Sequence, residues 1–270
     1  MTAWICRTCG GQFPLSAEPP AICRICSDDR QYLPPEGQSW TSVDELSAAG
    51  QGYDIRELEP GLTGFRCKPQ VGIGPVGCLV QTGAGNVLWD CPGFVDDRVV
   101  GEVKARGGLA AISASHPHFY SAMVDWSEAF GGVPISLPAA DRQWVLRPDR
   151  RIQFWDDSVE LLPGVTAIRC GGHFDGSSVL HWPAGAEGGG VLFTGDTIMV
   201  AADRRWVSFM RSYPNYIPVS GATVTAILAR VGRLQFDRIY GNPGWEKFVD
   251  HGAAEIVRRS ADRYRSAIGS

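Results

Sequence analysis

Cys6-Arg7-Thr8-Cys9 and Cys23-Arg24-Ile25-Cys26 set four thiols in two Cys-x-x-Cys pairs, thirteen residues apart, in a chain of 270 residues. A segment this short buries too little apolar surface to fold alone, so another force must organise residues 1–33. Two pairs at this spacing close a tetrahedral sulfur shell around one zinc ion, each turn aiming two thiolates at one point. Gly10 and Gly11 follow the first pair and suit a turn that needs positive φ. Iron fits the same four sulfurs. A closed shell leaves no open position for chemistry, so Cys6, Cys9, Cys23 and Cys26 are expected to hold a structural zinc with a folding or docking role.

This knuckle resembles the zinc-ribbon and rubredoxin-like class. The remaining cysteines, Cys67, Cys78, Cys91 and Cys170, are scattered through apolar surroundings and read as free buried thiols of a reducing compartment. The first twenty residues lack the basic and apolar regions of a secretory signal, and no apolar run reaches membrane-spanning length. A cytoplasmic location without membrane contact is therefore expected. With 25 basic and 29 acidic side chains the formal charge is -4, so no field favours nucleic acid as a partner.

Residues 34–52 mix Pro, Gly, Ser and Ala and read as a linker with one helical turn over 42–49. From Tyr53 to the end the pattern is that of one larger domain, 53–270. Short β-rich runs at 64–68, 77–81 and 87–90 are broken by glycine, with a turn at 83–86 joining the last two into a hairpin. A helix is expected over 92–107, followed by strands at 110–113, 166–170, 178–182 and 190–193. Helical spacing returns at 219–231, a short strand at 238–240, and a closing helix at 252–268.

The chain has five histidines, and His116 and His118 stand two residues apart immediately after an apolar strand. On extended backbone such a pair shares a face, so both imidazoles reach one metal. His173 follows Gly171-Gly172, and Asp196 ends the run Leu192-Phe193-Thr194-Gly195-Asp196. Three histidines and a carboxylate at the ends of separate strands suit zinc, iron or manganese better than calcium or magnesium. His181 and His251 lack a partner motif and read as structural or exposed, and the nine tryptophans read chiefly as core.

The order of these motifs, over 61–244, resembles the metallo-β-lactamase superfamily. Val87-Leu88-Trp89-Asp90-Cys91 is similar to the family's strand ending in Asp. Ser115-His116-Pro117-His118-Phe119-Tyr120-Ser121 stands where the family has His-x-His-x-Asp-His. Gly172-His173-x-x-Gly176 resembles the third-histidine turn, Thr194-Gly195-Asp196 the strand bearing the bridging aspartate, and 236–242 the final strand, which in the family usually ends in histidine. The resemblance implies an α+β fold, an αββα sandwich of two mixed sheets flanked by helices. It also implies a first metal held by His116, His118 and His173, with Asp196 as fourth ligand or as partner of a bound water. The second-metal positions here read Tyr120, Ser121 and Asn242, which are poor ligands for a dication, so one metal is expected.

One metal still supports hydrolysis by polarising a carbonyl and lowering the pKa of water. Asp196 is then the candidate general base, and Tyr120 the candidate donor to an oxyanion or alkoxide leaving group. Asp90 is expected to support the site from behind. Arg204, Arg205 and Arg211, with Tyr213 and Tyr216, read either as an anion-contacting loop or as a solvated face. Three functions compete: a mononuclear hydrolase of a small ester, thioester or lactone; a metal- or ligand-binding regulatory protein; and a mononuclear-iron oxygenase or redox protein. A small-molecule partner is expected in the first, and the exposed knuckle and surface aromatics are compatible with a homodimer.

Overall fold

Val87 and Trp89 point to one side of the strand Gly85–Trp89 and Leu88 to the other, yet all three are fully buried. Side chains alternate along a strand, so burial on both sides demands a covering layer on each face. In the computed structural model, which describes residues 1–269, those layers are present. Val87 and Trp89 pack with Leu180, Val191 and Phe193 of a second sheet, while Leu88 packs with Val99, Val103, Met123 and Trp126 of two helices. Leu192 repeats the pattern from the second sheet, meeting Val224, Ile227 and Val257 on its own outer helices. The result is the αββα sandwich expected from the resemblance. Each fully buried aliphatic or Phe side chain contributes about 1.5–3 kcal/mol of transfer free energy.

The first sheet has seven strands in the order Ile152–Trp155, Ile135–Pro138, Ala111–Ser113, Gly85–Trp89, Gly77–Thr82, Leu62–Lys68, Gly52–Glu59. The first four of these are parallel and the rest antiparallel. The second sheet runs Ser158–Leu162, Val165–Arg169, Ser178–Trp182, Val191–Gly195, Arg238–Gly241, Phe248–Val249. Its one parallel pair joins Val191–Gly195 to Arg238–Gly241, so Asp196 and Asn242 leave the sheet together. Gly85–Trp89 and Ala111–Ser113 are likewise parallel, which brings Asp90 beside Ser115 and His116. Ligands of α/β sheets gather at such carboxyl ends.

The helix expected over 92–107 is shorter, Asp97–Ala105, because Asp96 caps it by accepting from the Val99 N–H at 2.7 Å. Ser42 caps Val43–Ala48 in the same way. The segment 34–52 also carries a strand, Trp40–Thr41, which pairs with Thr2–Cys6 in a three-stranded sheet completed by Gln12–Ser16. The four cysteines and Ile25 pack against Ile73, Trp144 and Leu146 of the larger domain. Gly72 marks how close this docking is, since a Cβ there would lie 2.2 Å from Gly10 N. Among the described residues, no helix is long and apolar enough to cross a membrane.

Candidate metal centre

The four knuckle sulfurs are drawn together without a covalent bond. Cys6 Sγ lies 3.6 Å from Cys26 Sγ, and Cys9 Sγ 3.7 Å from Cys23 Sγ, against about 2.05 Å in a disulfide. Tetrahedral zinc with Zn–S of about 2.3 Å separates its sulfurs by about 3.8 Å, so the set has the right size. Two N–H groups point at sulfur, Gln38 Nε2 to Cys6 at 3.2 Å and Gly11 N to Cys9 at 3.4 Å. Donors aimed at sulfur favour thiolates, the form that binds metal.

The second cluster joins His116, His118, His173 and Asp196, with one ligand atom from each lying within 4.8 Å of the others. His118 Nδ1 and His173 Nε2 are 3.2 Å apart, and Asp196 Oδ2 is 3.6 Å from both His116 Nε2 and His173 Nε2. Tetrahedral zinc with Zn–N of about 2.0–2.1 Å sets ligand atoms about 3.3 Å apart, close to these spacings. The sequence expectation that His116 and His118 share a strand face is corrected. Pro117–Phe119 forms a 3-10 turn, and it is this turn that swings the His118 ring beside the others. Gly195, at φ +48, lets the aspartate strand approach: a Cβ there would meet Ser115 Oγ at 2.4 Å.

Burial governs the charges. It pushes His116 and His118 well below the ordinary imidazole range and His173 down to about 3, leaving neutral rings with lone pairs to give. Burial, then the charge of Asp90, raises Asp196 to about 8. His116 Nε2 and Asp196 Oδ1 are buried and find no hydrogen-bond partner among the described residues. Each such atom costs about 1–3 kcal/mol, and a cation is the species that satisfies them together. The donor set therefore fits a dication.

Asp90 backs the cluster from behind. Its Oδ1 accepts from Ser115 N at 2.7 Å and from Ser115 Oγ at 2.8 Å, and Ser115 Oγ lies 2.9 Å from His116 Nδ1. Because Ser115 gives its proton to Asp90, it accepts from Nδ1–H, which turns the His116 Nε2 lone pair inward. Asp90 itself is raised to about 6 by burial.

Tyr120, Ser121 and Asn242 bring a phenol, a hydroxyl and an amide, and no histidine, cysteine or carboxylate. Asn242 Nδ2 donates to Asp90 Oδ2 and to the Val76 carbonyl, and its Oδ1 accepts from Val76 N. Tyr120 Oη and Ser121 Oγ are buried without partners among the described residues. Nor do the loop arginines converge: Arg204 lies over Phe248, Arg211 pairs with Asp29 of the knuckle, and Tyr216 is exposed. Tyr213 does reach the site, donating to the Asp196 carbonyl at 3.0 Å. His181 bonds the Gln235 carbonyl and His251 pairs with Asp237, both away from the cluster. Two residues the sequence reading passed over also serve the site. Asp141 accepts from Gly176 N at 2.8 Å and so fixes the turn that carries His173, and Arg30 of the knuckle lies over Phe174, the neighbour of His173.

No family model matches the chain. It is 44% identical to the uncharacterized protein YmaE of Bacillus subtilis (strain 168) over 272 residues, spanning 100% of this chain and 98% of that protein. Among solved structures, VMB-1 at pH 5.5 is similar with a TM-score of 0.60 at 11% identity, covering 81% of this chain and 98% of that one. The metallo-β-lactamase FIM-1 from Pseudomonas aeruginosa, in its mono-zinc form, gives 0.56 at 15% identity, covering 78% and 95%. A metallo-β-lactamase from Hirschia baltica gives 0.55 at 17%, covering 78% and 96%. At these identities the likeness to solved structures is one of fold.

Proposed function

Because the chain belongs to the family of Bacillus subtilis YmaE and has the metallo-β-lactamase fold, we propose that it is a metal-dependent hydrolase of a small ester, thioester or lactone. The observation that carries this reading is the convergence of three neutral imidazoles and one carboxylate where parallel strands end. In this reading His116, His118, His173 and Asp196 hold a single zinc, with iron or manganese as alternatives, and the four cysteines hold a structural zinc. A bound dication supplies a Lewis acid and makes water acidic enough to act as a nucleophile near neutral pH.

The chain's own residues complete the chemistry. Asp196 turns Oδ2 toward His116 and His173 and leaves Oδ1 without a partner among the described residues, so Oδ1 is the atom that takes the proton of the attacking water. Tyr120 is kept protonated by its own burial, and its Oη is the donor for the leaving oxygen.

The test is turnover. Full-length protein purified without chelator is offered a panel of small esters, thioesters and lactones, beside a His116→Ala variant whose cysteine site is untouched. Turnover that vanishes in the variant supports the hydrolase; equal turnover in both removes it. Metal binding without turnover on any substrate favours a second reading, a binding or regulatory protein, to which the burial of all four ligand side chains lends support.

A further inference from the structure

Arg30 stands four residues beyond the last knuckle cysteine and is only 8% exposed. Its guanidinium lies 4.1 Å above the centre of the Phe174 ring and 5.1 Å from that of Trp144. Nε and Nη1 are both buried and make no hydrogen bond among the described residues; the one ion pair is Nε to Asp28 Oδ1 at 3.4 Å. A cation this buried with donors left over is costly unless an acceptor meets them.

Its place in the fold says where that acceptor comes from. Phe174 directly follows His173, and its ring centre lies 5.1 Å from the centres of both His118 and His173, so a single phenyl ring separates the guanidinium from the ligand set. The backbone that presents Arg30 is fixed. Arg30 N donates to Asp28 Oδ1, and Asn215 Nδ2 donates to the carbonyls of Asp29 and Gln31 on either side. A planar fork of donors held in this way matches an oxyanion, carboxylate or phosphate.

We propose that Arg30, delivered by the cysteine knuckle, is the anion-recognising residue of the histidine–aspartate site, so that its substrates carry a carboxylate or phosphate group beside the bond that is cleaved. This rests on reading the cluster as a metal centre that meets substrate. Arg30 touches the non-reacting end of that substrate and sets specificity; it is not asked to move a proton.

Calorimetric titration of the full-length holoprotein with acetate, succinate and phosphonoacetate tests it without any need for turnover. Acetate reports the metal alone, while the other two add a second anion of either chemistry. Wild type is expected to bind succinate or phosphonoacetate about tenfold or more tightly than acetate, a gain of the size of one charge-assisted contact. The probe that gains more identifies the preferred anion. Arg30→Gln, with metal content equal to wild type, is expected to bind all three alike, and Arg30→Lys to keep part of the preference. No preference in wild type, or an undiminished one in Arg30→Gln, overturns the proposal. Should the Gln variant not fold, the wild-type ranking and the Lys variant decide it. Anion selection with no hydrolysis of any ester would sink the hydrolase reading and leave the site; hydrolysis with no selection would do the reverse.

Discussion

Asn242 donates its side-chain amide to Asp90 Oδ2 at 2.9 Å. With the Val76 carbonyl and N–H also engaged, every hydrogen-bonding atom of that amide is committed. The amide braces the ends of two sheets. The expected metal content is therefore two per chain, one for each cluster. Elemental analysis should find one fewer after Cys23→Ser with Cys26→Ser, and one fewer after His116→Ala with His118→Ala. A third equivalent bound tightly to wild type would mean that the brace gives way to a second ion.

Ser115 links Asp90 to His116 Nδ1. Ser115→Ala removes the link and leaves the ligands in place, so affinity at the histidine cluster should fall about 10–100-fold. Competition with a chelator followed by metal analysis measures this, and the cysteine site serves as the internal reference. Unchanged affinity would show that the ring is oriented by packing alone.

Asp141 is fully buried, and burial raises its carboxyl from 3.8 to about 7. The sign follows from the folded value lying above the unfolded one. The group's contribution to stability is fully present below about pH 4 and is lost as pH rises through about 7. Asp141→Asn keeps an acceptor for Gly176 N and does not ionise. Urea denaturation should thus show the variant gaining on wild type between about pH 5 and about pH 8, by on the order of a few kcal/mol. A constant difference across that range would contradict the shift.

Gly72 sits at φ +58 where the knuckle docks, and an added Cβ would lie 2.4 Å from the Cys9 carbonyl carbon as well as against Gly10. Gly72→Ala is expected to destabilise the protein by about 2–4 kcal/mol, combining overpacking with a strained backbone. Gly37, also at positive φ but with nothing within 4 Å, isolates the backbone part, and Gly37→Ala should cost distinctly less in thermal melts.

If esters are turned over, Asp196→Asn should lower kcat by about 10²–10⁴-fold, the range of a lost general base. Tyr120→Phe should act more weakly, and more on substrates with poor leaving groups. A Tyr120→Phe enzyme indistinguishable from wild type on every substrate removes that residue from the chemistry.

Both clusters were legible in the sequence because each is written locally. Cysteine pairs three apart and histidines at the ends of apolar runs declare themselves within a few residues, and the sandwich was implied by the resemblance in motif order. What was not legible depends on contacts between distant segments. Arg30 looks like part of a charged surface run until the knuckle is seen resting on Trp144 and Phe174. Asp141 matters only because Gly176 comes to lie beside it. Gly52–Glu59 did not stand out because this edge strand, rich in charge, offers little apolar alternation. The spacing of His116 and His118 fits a strand as well as a turn, and it is Pro117 at the head of Pro117–Phe119 that selects the turn.

The grip of Asn215 on the Asp29 and Gln31 carbonyls ties the cysteine knuckle to the loop beside the histidine cluster. Asn215 belongs to the same loop as Tyr213, which is fastened to Asp196. A change in the shape of the knuckle would therefore be felt at Asp196 by way of Asn215 and Tyr213, although the two clusters share no ligand.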